Sequence, residues 1–393
     1  MSFFCVKIWL FQFLSRINIF LLLSFVYIDF KSDTISLMRS CIVLLGILVT
    51  SAIASAQFYD FTSGLPNETY HVTGASSDGH SIVGYNEAAT SRAFRFQQGG
   101  VIQFLEPTGF STFVNYSRAF AISANASIVA GDSSGFRPQT KWDNVGTPST
   151  FDSYFTGSTI MALNADGTIA AAQVGSGAYR VVNGAYSSLP TTGLAYNPLF
   201  VSGMSADGTK IVATNQSTGI APDKVALWRQ GIGSVNLPTP NLFTYYNNAR
   251  ISRDGNTIVT GNLVYDSSLN YTLLSGLANS TSVTADSITS TGSYIGGSSR
   301  DGSSGLDLAT IWDSQRNPIL LKDFLLGKGI NANAFDMNDV SAIEEGPGGI
   351  SISGTYRTGV KFRPFSVHVV PEPASLLAIG LGAAFLVRRR HRN

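Results

Sequence analysis

Short apolar runs separated by turn residues fill the chain from residue 57 to residue 370, and longer apolar runs lie outside that span. In a representative stretch, 72–84, strand-like residues precede Asp78-Gly79 and Ile82-Val83 follows it. Asp and Gly both tolerate positive φ and favour tight hairpins, while β-branched residues favour strands. Nothing in the span sustains a helical period, and the nearest stretch, 317–329, predicts at most a short helix. The pattern therefore predicts a body built of β-hairpins.

The hairpin unit repeats along the body, which indicates a repeat fold rather than isolated hairpins. The strongest copies carry the same turn dipeptide, at Asp78-Gly79, Asp166-Gly167, Asp207-Gly208 and Asp254-Gly255. Weaker copies centre on Asn125, Thr291 and Gly348. They bring the count to seven, with a mean spacing of 45 residues.

A second pair of strand-like runs follows each turn hairpin. In the first unit these runs are 92–96 and 101–105, joined across a Gly-Gly turn. Aromatic residues recur at the matching place in six units: Phe96, Trp142, Tyr179, Trp228, Tyr265 and Trp312. Four strands in each of seven units predict an all-β, seven-bladed β-propeller-like domain over residues 57–369. A pair of β-sandwiches and an irregular β-solenoid are the alternative architectures.

The repeat also resembles a known family. The succession of Asp-Gly-x-x-Ile-Val-Gly, Ala93-Phe94-Arg95-Phe96 and a Gly-Gly hairpin is similar to the HAF-type extracellular repeat. The resemblance covers about residues 70–366 and is strongest in the first and fourth units. It implies an architecture found in exported bacterial proteins, and it implies no activity.

The C-terminal segment 370–393 has three parts in a fixed order. Pro371-Glu372-Pro373 is followed by 14 uncharged residues, Ala374–Val387, and then by Arg388, Arg389, Arg390 and Arg392. A transmembrane helix needs roughly 20 apolar residues, so this one would be short, and the arginines would stop transfer on the cytoplasmic side. The order resembles the PEP-CTERM protein-sorting signal of Gram-negative bacteria. A plain C-terminal anchor would leave Pro-Glu-Pro unexplained.

That resemblance implies processing by an exosortase, a membrane-embedded transpeptidase-like protease, in an organism that makes exopolysaccharide. Pro371, Glu372 and Pro373 would be recognised, the apolar stretch would dock in the membrane, and the arginines would orient it. Membrane association through the tail helix is then transient and precedes processing.

The N-terminal end carries an export signal of its own. Met38-Arg39, the apolar run 41–50 and the sequence Ala54-Ser55-Ala56 before Gln57 are the three parts of a secretory signal peptide. We therefore assign 38–56 to a signal peptide cleaved between Ala56 and Gln57. Residues 1–37 hold a second apolar run. The favoured explanation is a misplaced start or an extended leader, with translation starting at Met38; a two-span anchor is the alternative.

Charge and cysteine content exclude several classes of function. Residues 57–370 contain 18 Lys and Arg against 22 Asp and Glu, so the body has a net charge of −4 although the whole chain has +1. No basic patch argues for nucleic acid. Both cysteines of the chain, Cys5 and Cys41, precede Gln57, so the exported body forms no disulfide and offers no thiolate to a metal.

Candidate catalytic residues are few. The body has three histidines, His71, His80 and His368, and a closed ring could bring His71 near His368. The repeated Asp residues could in principle serve glycan hydrolysis or bind Ca²⁺, but their shared position indicates a turn role. The densest acidic cluster, which spans 336–345, is predicted to be a solvated loop. We therefore expect no catalytic residue, no metal site and no cofactor.

Two functional hypotheses follow from these observations. The first is a non-enzymatic surface or extracellular-matrix protein that is sorted through its tail and binds exopolysaccharide or another surface protein through its body. The second is a secreted carbohydrate-active enzyme on a β-propeller scaffold. The scarcity of histidine and the lack of a singular acidic pair favour the first.

Overall fold

The structure is a computed structural model that describes residues 57–60, 66–97, 100, 102–107, 116–133, 139–151, 158–190, 199–215, 224–240, 249–346 and 348–370. The predicted leader 1–37, the signal peptide 38–56 and the sorting motif with its membrane helix, 371–393, lie outside the described residues. The described residues therefore belong to the β-repeat body.

The body forms seven four-stranded antiparallel sheets, which we call blades 1 to 7. Blade 1 contains β2 (Tyr70–Ala75), β3 (Ser81–Asn86), β4 (Ala93–Gln97) and β5 (Ile102–Leu105). Blade 2 contains β6 (Ser117–Ile122), β7 (Val129–Ser133), β8 (Gln139–Trp142) and β9 (Pro148–Thr150). Blade 3 contains β10 (Ser158–Leu163), β11 (Ile169–Val174), β12 (Gly177–Val182) and β13 (Ala185–Ser188). Blade 4 contains β14 (Leu199–Met204), β15 (Lys210–Asn215), β16 (Lys224–Arg229) and β17 (Gly233–Asn236).

The last three blades follow the same order. Blade 5 contains β18 (Arg250–Ile251), β19 (Ile258–Thr260), β20 (Leu263–Tyr265) and β21 (Tyr271–Leu273). Blade 6 contains β22 (Ser280–Ile288), β23 (Ile295–Asp301), β24 (Asp307–Trp312) and β25 (Pro318–Leu320), followed by the helix α1 (Leu321–Gly327). Blade 7 contains β26 (Asp336–Gly346), β27 (Gly349–Thr358) and β28 (Lys361–Val369), and its fourth strand is β1 (Gln57–Asp60).

The first strand of each blade is the inner strand, and the inner strands form a closed ring. Each contacts the inner strand of the next blade, and β26 of blade 7 contacts β2 of blade 1. The ring is fastened by β1, which pairs antiparallel with β28 from Gln57 opposite His368 to Asp60 opposite Phe365. A strand from the start of the body thus completes the sheet formed by its end. The predicted seven-bladed β-propeller is confirmed.

The hydrophobic core is divided into seven clusters, one at each interface between neighbouring blades. The cluster between blades 1 and 2, for example, joins Val83 and Leu105 to Val129 and Trp142. Apolar and polar residues therefore do not alternate regularly along the strands, because both faces of a blade pack against a neighbouring blade. Six of the seven clusters connect blades that are consecutive in sequence, and the seventh joins blade 7 to blade 1.

The structure corrects one detail of the repeat alignment. The aromatic residue at the end of the third strand faces an Ile or Val of the second strand, as in Ile82 opposite Phe96 and Val129 opposite Trp142. In blade 3 the equivalent residue is Val181, opposite Ala170, and Tyr179 lies two residues earlier. The two candidates, Tyr179 and Val181, can be told apart only by the register between the second and third strands, which sequence spacing does not fix.

Candidate functional site

The repeated Asp residues lie at the turns between the first and second strands, where each accepts local hydrogen bonds. Asp207 Oδ1 accepts from Ser205 Oγ at 2.6 Å and from the Thr209 N–H at 3.0 Å. Asp78 and Asp254 make the same two bonds, and Asp166 accepts from the N–H and hydroxyl of Thr168. The glycine that follows each Asp has positive φ, +67° to +77° at Gly79, Gly167, Gly208 and Gly255. These carboxylates hold the turn together.

The turn hydrogen bonds also set the ionisation of the carboxylates. Burial opposes ionisation of Asp207, but the hydrogen bonds from Ser205 and Thr209 outweigh it and hold the pKa below its usual value. At Asp166 the hydrogen bonds from Thr168 are the largest effect, and the pKa is again lowered. The turn carboxylates are therefore acceptors in their ionised form, which is the opposite of what a general acid requires.

The residue before each turn Asp links neighbouring blades. The Ser77 N–H donates to the Ala124 carbonyl at 2.9 Å, Ala124 to Ala165 and Ala165 to Ala206, both at 2.8 Å, and Ala206 to Arg253 at 2.7 Å. These five equivalent residues follow the inner strands, so they mark one end of the channel that the inner strands surround, and we call this end the turn mouth. The repeated Ser-x-Asp-Gly sequence thus builds both the turn and the connection between blades.

The opposite end of the channel, which we call the loop mouth, lies towards the start of the inner strands. Six equivalent residues lie there: His71, Arg118, Thr159, Phe200, Thr284 and Asp339. Between the two mouths, parts of all seven inner strands line a cavity of about 150 Å³. The channel is the candidate functional site, because it is the place where all seven blades converge.

Blade 5 departs from the repeat inside this channel. Arg250 occupies the position that is filled by small residues in the other blades: Gly74, Ala121, Ala162, Gly203, Ser287 and Ala342. Its Nε donates to the Asp286 carbonyl of blade 6 at 3.1 Å, and one terminal nitrogen donates to the Ser202 carbonyl of blade 4 at 2.7 Å. Arg250 therefore bridges the two neighbours of the blade with the shortest inner strand.

A second arginine of blade 5 crosses the turn mouth. Arg253 Nε donates to Glu344 Oε1 of blade 7 at 3.0 Å, and a terminal nitrogen donates to the Ala75 carbonyl of blade 1 at 3.0 Å. Ser290 Oγ donates to the other Glu344 oxygen at 2.8 Å. Burial raises the pKa of Glu344 even though Arg253 lies beside it.

The acidic cluster 336–345 is therefore not the solvated loop that the sequence predicted. It forms most of the inner strand β26, and the side chain of Glu344 is only 10% exposed. The sequence prediction was wrong because polarity alone does not reveal that an acidic residue has a cation, here from another blade, as its partner.

Asp286 lies in the inner strand of blade 6, at a position where the pairing with β23 shifts register. Burial raises its pKa to about 7, and the nearby charge of Asp339 adds to the effect while Arg250 opposes it. The Asp339 carboxylate accepts from Ser341 Oγ at 2.8 Å and from the Thr355 N–H at 2.9 Å. The Asp339 carboxylate thus makes its hydrogen bonds within blade 7.

Aromatic rings surround a cation at the loop mouth. The guanidinium carbon of Arg118 lies 5.4 to 5.9 Å from the ring centres of Tyr85, Tyr116 and Phe120. Its nitrogen donates to Asp132 Oδ2 at 2.8 Å, and Asp132 is buried. This cluster joins blades 1 and 2 at the rim of the channel. The Arg118 guanidinium already has an ion-pair partner in Asp132.

The histidine that meets His368 is His80. Their ring centres are 5.3 Å apart, whereas His71 stacks on Tyr85 with 4.9 Å between ring centres. His368 Nδ1 is 2.8 Å from Ser351 Oγ, and the Gly79 backbone packs directly against Ser351. The expected approach of His71 to His368 was therefore assigned to the wrong histidine. Burial and the neighbouring His80 lower the pKa of His368.

Two general findings bear on the kind of site this is. Within the described part of the chain, no group of three or more His, Cys, Asp or Glu side chains could hold a metal ion. Across the same residues, no helix has the length and apolar character needed to cross a membrane.

Arg250, Arg253 and Asp286 were missed by the sequence analysis. For the two arginines a signal was present, because an alignment of the repeats places Arg250 opposite Gly, Ala or Ser of the other blades and Arg253 opposite Ala or Ser of blades 1 to 4 and 6.

Comparison with known proteins agrees with the fold and with the tail. Residues 369–392 match the family model of the PEP-CTERM protein-sorting motif, so the chain carries this motif at its C-terminus. The match is confined to the tail and covers none of the blades apart from Val369. A comparison with curated protein sequences found no match.

Two solved structures share the architecture of the body. One is an oligogalacturonate lyase in complex with manganese, at 11% identity and a TM-score of 0.51, covering 81% of this chain and 96% of that chain. The other is the β-propeller domain of Cps50 (Swd1) from Myceliophteria thermophila, at 11% identity and a TM-score of 0.50, covering 80% of this chain and 100% of that chain. At this identity the likeness shows the fold alone.

Proposed function

We propose that this chain is a non-enzymatic surface or extracellular-matrix protein whose propeller binds a glycan or another protein. The PEP-CTERM motif implies exosortase-dependent export to the cell surface. Within that motif Pro371, Glu372 and Pro373 would be recognised, and Arg388, Arg389, Arg390 and Arg392 would stay on the cytoplasmic side until processing. A signal peptide ending at Ala56 would direct the chain to the export machinery.

One observation carries the preference for binding over catalysis. The carboxylates most numerous in the repeat, at Asp78, Asp166, Asp207 and Asp254, all accept the same kind of turn hydrogen bond. Glycan hydrolysis needs two carboxylates with different protonation behaviour at a defined separation. Four equivalent carboxylates with lowered pKa values supply structure instead. The resemblance to HAF-type repeats supports an exported scaffold of this kind.

The alternative is a secreted carbohydrate-active enzyme, and Asp286 is the observation that favours it. A carboxyl group with a pKa of about 7 has the ionisation behaviour of a general acid or base. Arg250 lies close enough for its charge to act on this group. Structural ion networks also shift pKa values, and Asp286 has Asp339 and Arg250 as charged neighbours, so we prefer binding.

Incubation of the mature body, residues 57–370, with exopolysaccharide from the producing cells separates the two hypotheses. We expect the polymer to be retained by the immobilised protein with its chain length unchanged. Shortening of the polymer that disappears in an Asp286→Asn variant would overturn the binding hypothesis in favour of the enzyme. A matched Asp207→Asn variant controls for loss of a carboxylate elsewhere in the ring.

A further inference from the structure

Among the channel-lining positions, the one held by Arg250 is where the seven-fold pattern breaks most sharply. The six equivalent residues of the other blades are Gly, Ala or Ser, so they leave space near the channel axis. Arg250 lines the cavity that this space creates, together with Thr73, Gly203 and Ser287. A long cationic side chain among small residues gives the cavity one charged wall.

Arg250 makes no ion pair with a carboxylate of the described residues, and Asp286 is the acidic group whose charge acts on it. The two hydrogen bonds of Arg250 go to backbone carbonyls, those of Ser202 and Asp286, and no carboxylate oxygen of the described residues lies within salt-bridge distance of it. A guanidinium has five N–H donors in a planar fork that matches a carboxylate. Two of the five are used in these bonds, so donors remain for a ligand.

The other charges of the cavity wall compensate one another. Arg253 and Glu344 form an ion pair across the turn mouth, and Ser290 occupies the second Glu344 oxygen. The ion pair also links blade 5 to blade 7. Arg250 is therefore the guanidinium of the cavity wall that has no ion-pair partner among the described residues.

The hydroxyl groups in the wall are already engaged as donors, so they do not compete with Arg250 for an anion. Thr73 donates to the Ala119 carbonyl at 2.9 Å, Ser287 to the Val340 carbonyl at 2.8 Å, and Ser341 to Asp339 at 2.8 Å. Their oxygen lone pairs can still accept hydrogen bonds from ligand hydroxyl groups. Towards the turn mouth the wall is apolar, with Ile122, Leu163 and Ile343.

We propose that the channel binds a carboxylate group, carried by an acidic sugar or by a small organic acid, and that Arg250 is its anchor. A cavity of about 150 Å³ accommodates a group of this size and excludes a folded partner. The proposal rests on the proposed binding function and names the chemistry of the ligand: an anionic end group.

The test uses isothermal titration calorimetry on the body, residues 57–370, in a carboxylate-free buffer. We expect D-glucuronate to bind and D-glucose not to bind, and acetate as a third ligand separates a sugar acid from any small carboxylate. Arg250→Lys keeps the charge and loses the planar fork, so we expect it to weaken glucuronate binding by about tenfold or more.

Arg95→Lys is the matched control. Arg95 is also buried and also donates to carbonyls of a neighbouring blade, at Asn144 and Ala126, but it does not line the cavity. We expect this variant to bind glucuronate as the unchanged protein does. Equal affinities for glucuronate and glucose, or an Arg250→Lys variant with unchanged affinity, would overturn the proposal.

A second measurement covers the case in which Arg250→Lys does not fold. In the unchanged protein with ¹⁵N-labelled arginine, glucuronate should shift one arginine Nε–H signal that glucose leaves in place, and no shift contradicts the proposal. Retention of exopolysaccharide by a folded Arg250→Lys variant would refute the anchor and leave the proposed function standing. If the unchanged protein does not retain exopolysaccharide, the proposed function itself is refuted.

Discussion

Asp207 illustrates how one side chain forms the repeated turn. Its carboxylate accepts from the hydroxyl before it and the N–H after it, and the glycine that follows adopts positive φ. Blade 2 solves the same problem differently, because Asn125 Oδ1 accepts from Ser123 Oγ and from the Ser127 N–H. An amide oxygen is therefore an adequate acceptor, and the negative charge is dispensable to the turn.

The chain itself thus provides the first prediction. Asp207→Asn should change the free energy of unfolding little, by less than about 0.5 kcal/mol, because Asn125 serves the same turn. Asp207→Ala should cost about 1 to 2 kcal/mol, because Ser205 Oγ and the Thr209 N–H lose their acceptor. Urea unfolding of both variants measures the difference, and equal losses in the two would contradict this role of the carboxylate.

Asp286 gives the second prediction, which concerns pH. Because its pKa is raised to about 7, the folded state keeps the proton over a range where the unfolded chain, at its usual value of 3.8, has lost it. Stability contributed by the neutral form is complete below the unfolded pKa and is lost as the pH rises through the folded pKa.

Asp286→Asn removes that pH dependence. The unfolding free energy of the variant minus that of the unchanged protein should be about 1 to 3 kcal/mol larger at pH 8 than at pH 4. Thermal or urea unfolding at both pH values measures this gain, with Asp207→Asn as the control. A difference that is the same at both pH values, or larger at pH 4, would show that Asp286 is ionised in the folded protein throughout.

At the scale of the element, the third strand of several blades ends in an aromatic latch. Trp142 Nε1 donates to the Glu106 carbonyl of blade 1, and Trp312 Nε1 to the Ser275 carbonyl of blade 5, both at 2.7 Å. Tyr265 makes the equivalent bond to Pro238 at 3.0 Å. The aromatic ring fills the interface between two blades, and its polar atom donates a hydrogen bond to the preceding blade.

The latch gives the third prediction. Trp312→Phe should destabilise the protein by about 1 to 3 kcal/mol, because the Ser275 carbonyl loses its donor and the fully buried ring loses volume. Trp228→Phe is the comparison, since Trp228 occupies the same register position but is only partly buried. Chemical unfolding of the two variants measures the contrast, and a larger loss for Trp228→Phe would reject the latch.

The closing strand β1 gives the fourth prediction. Its residue Phe58 stacks on Phe335 with 4.5 Å between ring centres, and Tyr59 lies 5.8 Å from Phe96 of blade 1. Deletion of 57–60 should lower the melting temperature by several degrees and expose the edge of β28 to association. Differential scanning calorimetry and size-exclusion chromatography test this. A truncated body with the same melting temperature and the same state of association as the full body would contradict the role of β1.

Much of this element structure could be predicted from the sequence. Asp-Gly turns and β-branched runs predicted four strands in each of seven units, and the segment near 321–327 was expected to form at most a short helix. Register and long-range partners could not be predicted, because spacing does not fix which residue of a strand faces its neighbour. Tyr179 was therefore misplaced by two residues, and Glu344 was placed in a loop.

At the scale of the whole molecule, closure distinguishes the ring from a stack of hairpins. Each blade interface has its own apolar cluster, and the last cluster joins Tyr59 and Ala342 of blade 7 to Tyr70 of blade 1. The channel exists only because the ring closes, so no sequence-local pattern could reveal that Arg250 of blade 5 and Glu344 of blade 7 line the same cavity. The sorting motif, by contrast, was predictable because its meaning is carried by contiguous residues.

Closure also connects the fold to processing. The predicted cleavage after Ala56 would make Gln57 the first residue of the mature chain, and Gln57 is the first residue of β1. At the other end, β28 ends at Val369, directly before the segment that contains Pro371, Glu372 and Pro373. A body released between these two points retains all 28 described strands and the closed ring.

The most direct test is the intact mass, with both termini mapped, of the protein recovered from its native cells and medium. We predict a chain that starts at Gln57 and ends near Pro371, so that export and tail processing leave the closed propeller at the surface. A chain that still carries Arg388 to Asn393 would contradict this prediction, because the tail would then be an ordinary membrane anchor.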